Sequence, residues 1–187
     1  MNNINFTARL IKRTEIYKRD KGGTFVPAEV SIVELDKNDE NDVKSLYQTS
    51  VLWNQQNAKY SSNIYHEAVK GYEYSDIEQE HYLALTEQND DFKNINSEKV
   101  LGLMLFSESK FQEDEIEWFQ VRPNTNTKQS WKREYKGVGK AMIDLLKQVN
   151  YCKPIHVLSV PESVEFYKKQ GFKNRENDIP SSLYLEG

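Results

Sequence analysis

Residues 134–141 read Glu134-Tyr135-Lys136-Gly137-Val138-Gly139-Lys140-Ala141 and run directly into an amphipathic segment. Val138, Met142, Leu145, Leu146 and Val149 recur at helical spacing, so the segment from about Val138 to Val149 is predicted to be a helix with one buried face. Two glycines at its mouth let main-chain amides approach a ligand closely. The first N–H groups of a helix have no internal partner, and the positive end of its dipole points the same way. Such a turn is built to receive an anion, most naturally a phosphate or pyrophosphate.

The surrounding pattern alternates strands and helices. Val30–Leu35 has strand composition, and the polar turn at 36–39 supplies a helix cap. The helix that follows is predicted to bury Val43, Leu46, Tyr47 and Val51, with a loop from Trp53 to Ser62 and a second short helix from Asn63 to Lys70 ended by Gly71. Strands are predicted at His81–Thr86 and Lys99–Phe106, joined as an antiparallel hairpin by a long polar loop. The second is almost wholly apolar and should be covered on both faces. A further strand, Ile116–Val121, closes at Arg122-Pro123 and leads into a polar loop from 124 to 136. After the amphipathic helix come a strand at 154–160, a short helix opened by Pro161 and stopped by Gly171, and a last strand at Ser182–Leu185. This order gives an α/β class with a mixed sheet. Residues 1–28 read as an N-terminal extension, a hairpin turning at Lys21-Gly22-Gly23 and packed on a single domain spanning 29–187.

The length of 187 residues suits one domain with a real core. A net charge of −4 places nucleic-acid binding behind other readings, although basic patches occur at 9–21 and 128–140. Cys152 is the single cysteine, so an intramolecular disulfide is impossible and a reducing, cytoplasmic setting is expected. No run of eighteen apolar residues exists, so no membrane span is expected. His66, His81 and His156 are dispersed and show no ligand spacing, so no metal is expected, and Cys152 has no local support as a nucleophile.

Two familiar phosphate motifs fail on inspection. A P-loop needs a glycine at 134 and Ser or Thr at 141, where this chain has Glu134 and Ala141. A dinucleotide fingerprint needs a third glycine where Met142 stands, and an early strand before it. The arrangement instead resembles the GNAT-type N-acetyltransferases. Three segments carry the likeness: Val121-Arg122-Pro123 ending a strand, Glu134-Tyr135-Lys136-Gly137-Val138-Gly139 opening a helix, and Phe166-Tyr167-Lys168-Lys169-Gln170-Gly171-Phe172 after the next strand. Order and intervals agree from about residue 99 to 172.

The resemblance implies a central mixed, mostly antiparallel twisted sheet flanked by helices (the acyl-CoA N-acyltransferase fold) and acetyl-CoA as cosubstrate. It implies that Lys136, Gly137, Val138, Gly139 and Lys140 hold the pyrophosphate. Main-chain groups near Phe119 and Val121 would pair with the pantetheine arm as an added strand would, Phe166 would border the cofactor, and the flanking strands would splay to admit it. Trp53, Tyr60, Tyr65 and Tyr72 fall in the segment that lines the acceptor pocket in that family, and each is a candidate either for that wall or for the core. Dimers are common in it. Two departures stand out. Glu134 occupies a position where the family has Gln or Arg, and a carboxylate there must turn away or pair with a base such as Arg133, Lys136 or Lys140. The stretch from Pro123 to Gly137 is also longer than the family loop.

Acetyl transfer to an amine needs a neutral nucleophile, a stabilised oxyanion and a proton for the departing thiolate. By the resemblance Tyr167 is the candidate acid, since a phenol is protonated at neutral pH. Glu115 and Glu117 alternate with Ile116 and Trp118 and share a face, and either is a candidate base; Glu117 is equally a candidate to bind a cationic substrate. The expected activity is transfer of acetyl from acetyl-CoA to a primary amine, on a small molecule or a protein, by direct attack in a ternary complex. The alternative is a non-catalytic acyl-CoA-binding or sensory module on the same fold, for which Glu134 leaves room and against which Tyr167 speaks.

Overall fold

The computed structural model describes residues 8–56, 60–70, 76–125, 132–149 and 153–186. Strands β1 (Arg9–Arg19) and β2 (Phe25–Leu35) form an antiparallel hairpin, followed by helices α1 (Glu40–Asn54) and α2 (Tyr60–Lys70). Strands β3 (Ile77–Thr86), β4 (Val100–Ser109) and β5 (Asp114–Val121) come next, then a two-residue strand β6 (Tyr135–Lys136) and helix α3 (Val138–Val149). Strand β7 (Ile155–Leu158), a 3-10 turn at Pro161–Ser163, helix α4 (Val164–Lys169) and strand β8 (Ser182–Leu185) follow, and further 3-10 turns lie at Ser97–Lys99 and Pro123–Thr125.

These strands form one sheet in the order β6-β1-β2-β3-β4-β5-β7-β8. Every neighbouring pair is antiparallel except β5 with β7, so the mixed, mostly antiparallel α/β architecture read from the sequence is the one observed. Each face carries its own core. Leu101, Met104 and Phe106 of β4 pack with Val138, Met142 and Leu146 of α3 and with Tyr167 and Phe172 on one side. Val100, Leu103 and Leu105 pack with Leu46, Trp53 and Ile64 of α1 and α2 on the other. That is why β4 reads as an unbroken apolar run. Gly102 interrupts it because α3 lies against the strand there: a Cβ would come within 2.7 Å of Met142 Sδ.

Three sequence expectations change. The hairpin exists, but its second strand runs without a break from Phe25 to Leu35, so the boundary expected at residue 28 falls inside β2. β1 is an interior strand, held by β2 on one side and β6 on the other. On α1 the buried face is Asp42, Ser45, Leu46, Thr49, Ser50 and Trp53, whereas Tyr47 is 50% exposed and Val51 39% exposed. Apolar spacing pointed to the wrong stripe because small hydroxyl residues occupy half of the true one. Ser45 Oγ donates to the main-chain oxygens of Asn41 and Ile95, and Thr49 Oγ1 to that of Ser45, so their hydroxyls are satisfied in the interior. Val149, placed on the buried face of α3, is also exposed, as the last residue of the helix. The helix stop expected at Gly71 lies outside the described residues, as does Cys152.

Asp39 caps α1, its carboxylate accepting from the amides of Asn41 and Asp42. Asp42 itself is fully buried and accepts from the Asp36 amide at 2.9 Å. Burial lifts its pKa from 3.8 to about 7; the Asp36 and Ala8 amides pull it down, and the charges of Asp39 and Asp36 push it up. The folded protein therefore holds a proton that the unfolded chain has already released. Stability from this group is fully present below about pH 4 and is lost as pH rises through about 7, at up to about 1.4 kcal/mol per pH unit between. Asp42→Asn should be more stable relative to the parent at pH 8 than at pH 5 by roughly 2–3 kcal/mol in urea denaturation. An offset independent of pH would show that Asp42 is charged in the fold.

Candidate functional site

β5 and β7 run parallel, but they pair only at Asp114↔Ile155 and Glu115↔His156. Beyond Glu115 the two strands part, and a cleft of about 730 Å³ opens between them. The open edge of β5 presents main-chain groups that no β7 residue takes up beyond that point. A bulge accompanies the parting. The β4–β5 register steps from Leu105↔Trp118 to Phe106↔Ile116, which leaves Glu117 as the extra residue. The bulge breaks the alternation expected for β5: Ile116 belongs to the α3-side core, while Trp118 packs against the α1–α2 core. Trp118 thus stands on the side where Ser107 donates to Glu117 Oε1 at 2.7 Å.

The glycine turn lies on the cleft wall. Gly137 has φ +90°, a conformation that favours glycine, and space exists for a side chain beside it, so the backbone angle is what selects the residue. Its carbonyl accepts the Ala141 amide at 2.8 Å and starts α3, which leaves the amides of Val138, Gly139 and Lys140 without intrahelical acceptors. Gly139 serves a different purpose from the one its spacing suggested. A Cβ there would sit 2.9 Å from the Phe166 ring, so the glycine admits that ring against the start of α3. Phe166 packs in turn on Phe119, with centroids 6.2 Å apart.

The turn is anchored from the N-terminal hairpin. β6 pairs Tyr135 and Lys136 with Lys18 and Tyr17. Tyr135 donates to Glu87 at 2.7 Å, Lys18 binds the same carboxylate at 2.6 Å, and the Lys136 ammonium sits 3.8 Å from the Phe25 ring centroid. β6 was read as loop because a two-residue strand has no periodicity to detect. Glu134 turns its carboxylate to Asn124, which donates at 2.5 Å, and is not among the residues lining the cleft. Two of the bases expected to offset it are engaged elsewhere: Lys140 pairs with Asp144 along α3, and Lys136 lies over the Phe25 ring.

Of the residues singled out in the sequence, Glu117, Phe119, Val121, Lys136, Gly137, Val138, Gly139, Lys140, Phe166 and Tyr167 all line this one cleft. Glu115 does not. It faces a smaller neighbouring hollow of about 290 Å³, with its carboxylate 3.5 Å from His156 Nδ1. Glu117 borders both cavities. Burial raises its pKa above the usual carboxylate range; the Ser107 hydroxyl opposes the rise, and Glu115, Glu80 and Glu67 add to it. Tyr167 is 5% exposed, and burial raises its phenol well above the ordinary value. Its ring makes edge contacts with Phe166 and Phe172, and its hydroxyl makes no hydrogen bond among the described residues.

The aromatic residues expected around an acceptor pocket divide. Tyr60 lines the cleft and stacks on Trp118, with centroids 5.8 Å apart at 23°. Trp53 is 1% exposed inside the α1–α2 core, Tyr65 packs against that core and Tyr47, and Tyr72 lies outside the described residues. Missed in the sequence were Ser159 and Ser163 on the walls, which no motif or spacing marks, and Tyr135, an unspecified position inside the glycine motif; only the fold brings the three there. In the basic run on β1, Arg9, Arg13 and Lys18 pair with Glu34, Glu29 and Glu87, which makes it a charge-paired strand face. No group of three or more metal-ligating side chains occurs among the described residues, and no described helix is long and apolar enough to cross a membrane. Comparison with protein-family models, curated proteins and solved structures finds no match.

Proposed function

We propose that the protein is an N-acetyltransferase that moves an acetyl group from acetyl-CoA to a primary amine, on the acyl-CoA N-acyltransferase fold. The observation that carries this reading is the parting of β5 and β7 beside the start of α3. It places an unpaired strand edge and a helix N-terminus on one cleft, where a ligand with an extended amide arm and a pyrophosphate has a partner for each. In this reading the pyrophosphate sits at the amides of Val138, Gly139 and Lys140, and the pantetheine arm lies along β5 at Phe119 and Val121. Glu134, which left room for a binding-only module, is drawn away by Asn124.

The chemistry assigned to the cleft is direct attack. The neutral amine nitrogen bonds to the thioester carbonyl carbon and releases one proton to solvent, while the half-buried Glu117 carboxylate, fixed by Ser107, is left to hold a cationic group of the acceptor. The carbon–sulfur bond breaks, sulfur keeps the electron pair, and Tyr167 supplies the proton that makes it a thiol. The products are an N-acetylated amine and CoA. Because a ligand that binds only the native state raises its stability, millimolar acetyl-CoA should raise Tm. A panel of primary amines should then release thiol in an acceptor-dependent way. Absence of any melting shift would remove the reading. Thiol release without acceptor preference would favour a binding module.

A further inference from the structure

We infer that the acceptor is a di- or polyamine, whose second, protonated nitrogen is held at the Glu117–Trp118 bulge where the main cleft meets the smaller hollow. The inference rests on the acetyltransferase reading and deepens it.

Three independent features meet at that point. The first is the aromatic stack. Tyr60 from α2 and Trp118 from β5 lie nearly parallel on the cleft wall, and aromatic faces attract organic cations. The second is Glu117, the one carboxylate that borders both cavities, half-buried and fixed by Ser107. The bulge puts it next to Trp118 on the same side of the sheet; regular alternation would have separated them. The third is the hollow itself. Its described walls include Asp76, Glu113, Glu115 and Glu117, with no Lys or Arg among the described residues, and its volume of about 290 Å³ is near the lower end of pockets that take small molecules. Part of that charge is already answered, since Glu113 pairs with Arg175 and Glu115 lies near His156. Glu80, whose charge also acts on Glu117, pairs with Lys37.

An acetyltransferase needs its reacting nitrogen neutral. A site of this kind is therefore misdirected if it binds that nitrogen alone. It is well directed if it holds a second, charged nitrogen a few methylenes away. The reacting nitrogen then reaches the thioester in the cleft, while the ammonium is kept between the Trp118 face and the Glu117 carboxylate. After transfer the product retains that one positive charge.

The test compares cadaverine with n-pentylamine, two amines of equal length that differ in the second nitrogen, using acetyl-CoA and thiol release. The expected result is kcat/KM roughly tenfold higher for cadaverine, in line with a cation held by one aromatic face and one carboxylate. Glu117→Gln and Trp118→Leu should each bring the ratio of the two substrates toward one, whatever they do to the separate rates, while the melting shift with acetyl-CoA persists. Equal use of the two amines by the parent protein overturns the proposal, as does a ratio that neither variant changes. A melting shift with acetyl-CoA but no transfer to either amine overturns it too and leaves the cofactor site standing. No melting shift at all removes the acetyltransferase reading, and this proposal with it.

Discussion

Tyr167→Phe should lower kcat for acetyl transfer by on the order of 10²-fold while leaving KM for acetyl-CoA little changed. The substitution removes one hydroxyl and nothing else. The ring keeps its edge contacts with Phe166 and Phe172, at 5.1 and 5.3 Å between centroids, so the cleft wall stays in place. The phenol is buried and makes no hydrogen bond within the described protein, which means that the fold does not depend on it. Losing a buried hydroxyl without a partner is neutral or slightly stabilising, so the variant should melt no lower than its parent. Burial also keeps the proton on the oxygen well into the alkaline range, so the phenol is in its protonated form at neutral pH. Steady-state kinetics with a saturating amine separates the two roles. Unchanged turnover would reduce Tyr167 to a packing residue.

The second large effect is on stability. Trp53→Ala should cost about 3–5 kcal/mol, read as a shift of the denaturant midpoint with little change in slope. Trp53 is the largest of the fully buried side chains, at the end of α1 against Leu46, Ile64 and Leu105. Its removal leaves a cavity that the surrounding helices fill only in part. The sequence left this residue open between the pocket wall and the core; the structure puts it in the core. Kinetics discriminates between the two assignments. At a temperature where the variant remains folded, KM for the amine should match the parent's. A raised KM with unchanged stability would return Trp53 to the pocket.

What could be read in the sequence follows physical lines. α3 was visible to the residue because a glycine turn, a strong apolar stripe and a clear start coincide there. β4 was visible because both of its faces are covered. The buried face of α1 was not, since Ser45, Thr49 and Asp42 are polar and their burial is made possible by partners distant in sequence. Candidate residues tied to a local pattern, such as Gly137 and Tyr167, converge on one cleft. Glu115 and Glu117 both border the smaller hollow, as alternation predicts, whereas Trp118 joins their side through a bulge at Glu117 that alternation has no means of anticipating. The role of the N-terminal hairpin as the anchor of the glycine turn depends on the pairing of β1 with β6, more than a hundred residues apart. No local signal reports such a pairing.

The most direct measurement is amide hydrogen exchange with and without CoA. If the cleft takes CoA as proposed, slowed exchange should appear at Val138, Gly139 and Lys140 and along the open edge of β5 from Glu117 to Val121, with α1 unaffected. Binding that leaves both of these segments unprotected would contradict the account.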